Sequence, residues 1–406
     1  MACVFQLGGN NPGTILMRAV WLLAVWSAAL CLAAPAWAQQ QSPVAIRFCP
    51  TGQLRTYPLD AKGRMQGMLL QGFTVVNQGE APIKLDEIDI SMLAKGQMVD
   101  NRVLDAAALD RWAGNGPPIQ GVIAKYPPEY CGGDIVPVGV VLGGPVLQRN
   151  QGMIVAQEVF AYDRPRDELR VSVRGTSGGH AVTASASIPI VAGFAKNRFV
   201  FPLSGVWYVG EAPGFHSAHR IHPGEEFALD IGQLGEGART YRGDGLSFRD
   251  YYAYGASVLA AADGRVVRTH NGQAENPGAL QRPGETSDAY LARHAAELDK
   301  GMASTDPNWA AGNYVMIDHG GGEYSLYAHL QPGSVRVKVG DQVRAGAVLG
   351  KLGSSGNSSE PHLHFQVCDR PDPFLCAGIP VAFENLTILW ADGPRALQSG
   401  DIVSTR

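Results

Sequence analysis

Between Gly312 and Val367 the sequence runs in short β-rich segments broken by glycine-bearing turns, and this patterning constrains the fold more than any other stretch. Its far end reads Pro361-His362-Leu363-His364-Phe365-Gln366-Val367. Side chains of a strand alternate faces, so Leu363 and Phe365 can pack into a core while His362 and His364 both face a cleft. Upstream, Tyr324-Ser325-Leu326-Tyr327-Ala328-His329-Leu330 alternates likewise and delivers a third histidine, His329, with Tyr327 expected on the same face. Three imidazoles converging from neighbouring strands make a metal-site or acid–base pattern.

At 406 residues the chain can bury two cores. Its 50 glycines and 26 prolines favour an all-β architecture with many turns over a helical bundle. The formal charge of −4 provides no basic field, which argues against a nucleic-acid partner. The first residues read as a targeting segment: Arg18 precedes an apolar run from Ala19 to Ala34, and Ala36-Trp37-Ala38 is a small-x-small cleavage site. A signal peptide is therefore expected over 1–38, and the mature protein is expected to be periplasmic or secreted, with no stable membrane anchor. Cleavage there would leave Cys49, Cys131, Cys368 and Cys376. One pair falls in each half of the chain, so Cys49–Cys131 and Cys368–Cys376 are the expected disulfides in an oxidising compartment.

Strand-like runs recur at Met68–Val76, Pro82–Ile90, Ile135–Leu142, Gly152–Tyr162, Leu169–Val173 and Val182–Ile190, with one helix expected over Val103–Trp112 and closed by Gly114. Regular strands with turn signals predict an accessory β-sandwich over 39–191, of which the immunoglobulin fold is one form. Nothing in it carries a catalytic pattern. A short connection, Ala192–Asn197, leads into a second domain over 197–390, followed by a tail at 391–406. Nine of the ten histidines lie in this second half. Ser257–Arg268 reads as a hairpin with Asp263-Gly264 at its corner, and Val339–Gly350 resembles it, which predicts a two-hairpin, barrel-like sheet. Two stretches, Gly232–Tyr254 and Asn271–Gly312, interrupt that sheet. The second is expected to hold a helix near Ser287–Met302 with Thr286 or Ser287 as N-cap.

The order Tyr-x-His-Leu, V-x-x-G-x-x-V-x-x-G, glycine-rich turn and Pro-His-Leu-His-Phe resembles the lysostaphin-type, or LytM-type, zinc endopeptidases over roughly residues 197–390. That resemblance implies a Zn2+ cofactor, a barrel-like antiparallel sheet and hydrolysis of peptidoglycan peptides in the stem or cross-bridge. Carried over residue by residue, it makes Asp230 and His364 metal ligands, His362 the general base and His329 a second catalytic imidazole.

The first ligand departs from the family pattern, which sets a histidine four residues before the aspartate. Here that position is Glu226, within His219-Arg220-Ile221-His222-Pro223-Gly224-Glu225-Glu226-Phe227-Ala228-Leu229-Asp230. A bend at Pro223-Gly224 could bring in a histidine instead. His222 is the favoured ligand, ahead of His219, with Glu226 the remaining candidate. The rival function is a catalytically silent domain that holds cell-wall peptide or activates a separate peptidoglycan hydrolase.

Overall fold

The computed structural model describes residues 42–60, 62–125, 131, 135–304, 306–393 and 395–406, so the signal segment expected at 1–38 lies outside the described residues. Strands β1 (Val44–Cys49), β2 (Leu54–Pro58), β3 (Gln66–Asn77), β4 (Ile83–Ala94) and β5 (Gln97–Leu104) precede helix α1 (Ala106–Lys125). After it come β6 (Val141–Leu142), β7 (Val146–Leu147), β8 (Gln151–Tyr162), β9 (Glu168–Ser177) and β10 (His180–Val191).

These ten strands follow one hydrogen-bonded path, β5-β4-β9-β10-β2-β3-β8-β6, with β1 added beside β3 and β7 beside β4. The expectation was a sandwich of two sheets. Instead, two mainly antiparallel groups are joined into one path where β10 runs parallel to β2 at Ile190↔Leu54 and Val191↔Arg55. Met68, Leu70 and Phe73 from one group pack with Ile88, Ile90, Val171 and Val173 from the other in a single core. Helix α1 starts later than expected, because β5 continues through Leu104 and Asp105 caps the helix by accepting the Ala108 N–H at 2.9 Å. It also runs on past Gly114 and through Pro117. Cys49–Cys131 is a disulfide, as is Cys368–Cys376 in the second half.

The second half contributes β11 (Val206–Glu211), β12 (Leu229–Gly232), β13 (Ser257–Leu259), β14 (Gly264–His270) and helix α2 (Ser287–Met302). Then follow β15 (Asn313–Asp318), β16 (Tyr324–Leu330), β17 (Gln342–Val343), β18 (Val348–Lys351), β19 (Leu363–Cys368), β20 (Leu386–Ile388) and β21 (Ile402–Thr405). Nine of these strands pair in the order β17-β14-β15-β16-β19-β12-β11-β21-β20, and β13 pairs with β18 in a small second sheet.

The Ser257–Arg268 hairpin does not form. Its two arms join different sheets, β13 beside β18 and β14 beside β15 and β17. Between them Ala260, Ala261 and Ala262 are buried, and the Ala261 N–H donates to the Tyr327 hydroxyl at 2.7 Å. That buried tether carries the chain from one sheet to the other. Thr286 caps α2 by accepting the Ala289 N–H. Residues 402–405, placed within a tail by the sequence reading, form β21 between β11 and β20.

Leu363, Phe365 and Val367 of β19 are buried with Ile231, Val315 and Tyr327 in the main core of this half. His364, Gln366 and Cys368 take the opposite face, as period two requires. Residues 42–406 form one compact unit. The halves meet where Tyr57 on β2 lies edge-on to Phe215 and Phe227, with ring centroids 5.7 and 5.9 Å away. Among the described residues, no helix is long and apolar enough to cross a membrane.

Candidate metal centre

Strand register brings the acidic and basic groups together. Asp230 on β12 lies directly across from His364 on β19, and His364 in turn faces Ala328 on β16. The Asp230 carboxylate meets His364 Nδ1 at 3.0 Å through Oδ1 and His219 Nε2 at 3.2 Å through Oδ2. One ligand atom from each of His219, Asp230 and His364 lies within 4.8 Å of the others. His362, just ahead of β19, points Nε2 at the same carboxylate from 3.5 Å.

His329 arrives by a route that alternation does not describe. Tyr327 is fully buried against Phe365, ring centroids 5.3 Å apart, on the face away from the cleft. The β15–β16 register shifts between Asn313 and Val315, so Ala328 and His329 together oppose one residue. His329 itself has φ of 62°, a left-handed conformation uncommon outside glycine. The bulge turns its ring to the His364 side, with centroids 4.7 Å from His362 and 5.8 Å from His364. Tyr327 and His329 therefore do not share a face, contrary to the alternation reading.

Backbone carbonyls fix two of the imidazoles. His362 Nδ1–H donates to the Glu360 carbonyl at 2.7 Å, and His329 Nδ1–H donates to the Ser355 carbonyl at 2.8 Å. Each neutral ring then offers Nε2 as a lone pair. Burial, with His362 and His364 nearby, holds His329 well below the usual histidine range. For His362, burial opposes the charge, but the Asp230 carboxylate raises its pKa.

His364 donates Nε2–H to Gln366 Oε1 at 2.8 Å, and Gln366 is oriented by its own amide donating to the Pro373 carbonyl at 3.3 Å. This leaves His364 Nδ1 as the atom facing Asp230, where a lone pair against a carboxylate needs a cation between or a proton added. Burial works against a charged ring, yet the Asp230 hydrogen bond and charge push the His364 pKa up to about 9. Asp230, despite its own burial, is held well below the usual range by His362 and His219. Two imidazoles and a carboxylate with their remaining nitrogens partly tied to second-sphere acceptors suit a zinc site with an open fourth position. Ligand atoms about 2.0–2.1 Å from a tetrahedral ion lie roughly 3.3 Å apart, close to the separations from Asp230 to His219 and His364.

Residues 244–374 match peptidase family M23. The match includes His329, His362 and His364 and begins after Asp230. Cell division protein DipM of Caulobacter vibrioides is 43% identical over 198 residues, covering 48% of this chain and 22% of that protein. Glycyl-glycine endopeptidase ALE-1 of Staphylococcus capitis is 43% identical over 78 residues, 17% of this chain and 21% of the relative. Peptidoglycan DD-endopeptidase ShyA of Vibrio cholerae is 40% identical over 74 residues, 18% of this chain and 17% of the relative. The matches thus span about a fifth of these curated relatives. Among solved structures, lysostaphin from Staphylococcus simulans shares 21% identity over 42% of this chain and 47% of its own, with a TM-score of 0.24.

Ahead of the matched M23 segment, His219 converges with Asp230 and His364, and His222 is not in that group. His219 sits in a single 3₁₀ turn, Ala218–Ile221, capped by Ser217, while His222 closes the turn through its backbone N–H to the His219 carbonyl. Pro223-Gly224 does bend the chain, as expected. A Cβ at Gly224 would lie 2.9 Å from Cys376 Sγ, so the loop runs tight against the Cys368–Cys376 disulfide.

Glu226 turns away from the histidines. Its side chain is buried at the junction of the halves and accepts from Gln71 Nε2 at 3.3 Å. Burial raises its pKa to about 8, against the pull of Gln71 and Arg220. Sequence reading missed Gln366 and Gln71. Gln366 was findable, since it lies two residues beyond His364 and so on the same strand face. Gln71 carries no local signal.

Proposed function

We propose that this protein is an exported zinc metalloendopeptidase that hydrolyses peptide bonds of peptidoglycan, in the stem or cross-bridge. The observation that carries the reading is the convergence of His219, Asp230 and His364 beside two further imidazoles. Zinc held there would supply Lewis acidity, easing ionisation of water and polarising a peptide carbonyl. His362, with Nδ1 fixed on the Glu360 carbonyl, takes a proton from the attacking water at Nε2 and passes it to the departing amine as the C–N bond breaks. Neutral His329 accepts a hydrogen bond through Nε2 and orients that water. The two disulfides support an oxidising compartment, periplasmic or secreted.

The alternative is a silent domain that binds cell-wall peptide or activates another hydrolase; it draws on Glu226 standing where the family has a ligand. One experiment separates the two: metal analysis beside digestion of purified peptidoglycan. The enzyme predicts stoichiometric zinc and new amino termini, with His362→Ala abolishing their release while zinc is retained. Metal-free protein that binds sacculi without cutting them would favour the silent domain.

A further inference from the structure

The segment that carries His219 is held from the other half of the molecule. Between β11 and β12 the chain has only its 3₁₀ turn, so no strand ladder fixes His219 in place. The backbone of the turn is tied at Arg220 by Gln71 on β3. This side chain is 3% exposed, and its single amide nitrogen donates to the Arg220 carbonyl at 2.7 Å and to Glu226 Oε2 at 3.3 Å. It thereby spans the loop from the residue after His219 to the residue four before Asp230. Glu226 is 8% exposed, and its other oxygen, Oε1, has no partner.

Around this bond the two halves are fitted closely. Tyr57 packs edge-on to both Phe215 and Phe227, which flank the loop. A Cβ at Gly67 would lie 2.9 Å from the Tyr57 ring and 3.1 Å from the Phe215 ring, so the absence of a side chain on β3 permits the approach. Metal–ligand distances in a formed site lie within about 0.2 Å of their ideal values, so the placement of each ligand is closely specified. The Arg220 carbonyl is one residue from His219, so its anchor acts on the ligand through almost no intervening chain.

We propose that Gln71 is a positioning residue for the metal centre: through it the N-terminal sheet sets where His219 stands, and metal affinity belongs to both halves together. The proposal rests on reading His219, Asp230 and His364 as the ligand set. A packing contact alone would not require a buried amide to bridge a carbonyl and a carboxyl at the base of that loop.

The test uses the full chain and measures zinc affinity by chelator competition, the visible spectrum of the Co2+-substituted protein and the melting temperature of zinc-free protein. Gln71→Leu should weaken zinc binding by about 10–100-fold, the range for outer-sphere partners, and alter the Co2+ bands. Gln71→Asn, one methylene shorter, should fall between the two proteins and serves if the leucine variant fails to fold. Glu226→Gln keeps an acceptor for Gln71 and should bind zinc as the parent does. If Gln71→Leu and Gln71→Asn lower only the melting temperature, leaving zinc affinity and the Co2+ spectrum unmoved, the positioning role is wrong. His219→Ala tells the two readings apart. Zinc lost in that variant but kept in both Gln71 variants sinks the positioning role alone, whereas zinc kept in His219→Ala sinks the ligand set and the proposal with it.

Discussion

Replacing Glu226 with glutamine should remove a pH dependence from the stability of the fold. Glu226 is 8% exposed, one of its oxygens has no partner, and burial raises its pKa from 4.5 to about 8 in spite of Gln71 and Arg220. The folded protein therefore holds this proton more tightly than the unfolded chain does. Its stabilising contribution is fully present below about pH 4.5 and is lost as pH rises through about 8. At about 1.4 kcal/mol per pH unit, that interval is worth roughly 3–5 kcal/mol. Glutamine has the same shape, cannot ionise and still accepts from Gln71. The measurement is urea unfolding of both zinc-stripped proteins at steps from mildly acidic to mildly alkaline pH. Taking the difference at each step cancels the groups common to both. The glutamine variant should gain on the parent by up to about 1.4 kcal/mol per pH unit in the middle of the window. A difference that stays flat, or grows toward acid, would refute the reasoning.

Three further outcomes follow from other contacts. Gln366→Leu removes the acceptor that orients His364 and should weaken zinc binding by about 10–100-fold in chelator competition, with little change in the main core. Tyr327→Phe removes the hydroxyl that accepts the buried Ala261 N–H, and denaturant unfolding should show a loss of about 1–3 kcal/mol with zinc content unchanged. At Gly356, φ is +79° and an added Cβ would lie 2.3 Å from the Ala310 carbonyl oxygen, so Gly356→Ala must shift the turn next to Ser355, whose carbonyl holds His329. Peptidoglycan digestion should fall while bound zinc, assayed separately, stays stoichiometric.

What could be read beforehand depended on how local the cause was. The two faces of Leu363–Val367 follow from alternation, and the structure has them as read, with Phe365 in the core and His364 in the cleft. Tyr327 was expected to share the face of His329 and does not, because a bulge defined by pairing with β15 interrupts the count of two. The hairpin expected at Asp263-Gly264 failed for a similar reason: buried alanines and a hydroxyl from β16 direct the chain between sheets, and neither is a turn signal. The ranking of His222 ahead of His219 was made within the loop and its Pro-Gly bend alone. The structure places His219 beside Asp230 in a 3₁₀ turn whose Arg220 carbonyl is held by Gln71, 149 residues before Arg220 in sequence. No inspection of the loop alone could supply that partner.

Strand β21 has a consequence for how the molecule assembles. It completes the pairing of β11 across a sequence separation of about 200 residues, with the Gly205 N–H also donating to Thr405. Contacts that distant form late, since loop closure must come before any reward from pairing. The turn bearing His219 joins β11 to β12, and β11 is held by β12 on one side and by this far strand on the other, so its root is complete only after the far strand has docked. In a refolding time course, collapse and most sheet formation should precede the appearance of a competent cation site, and the capture of metal would clock the final phase.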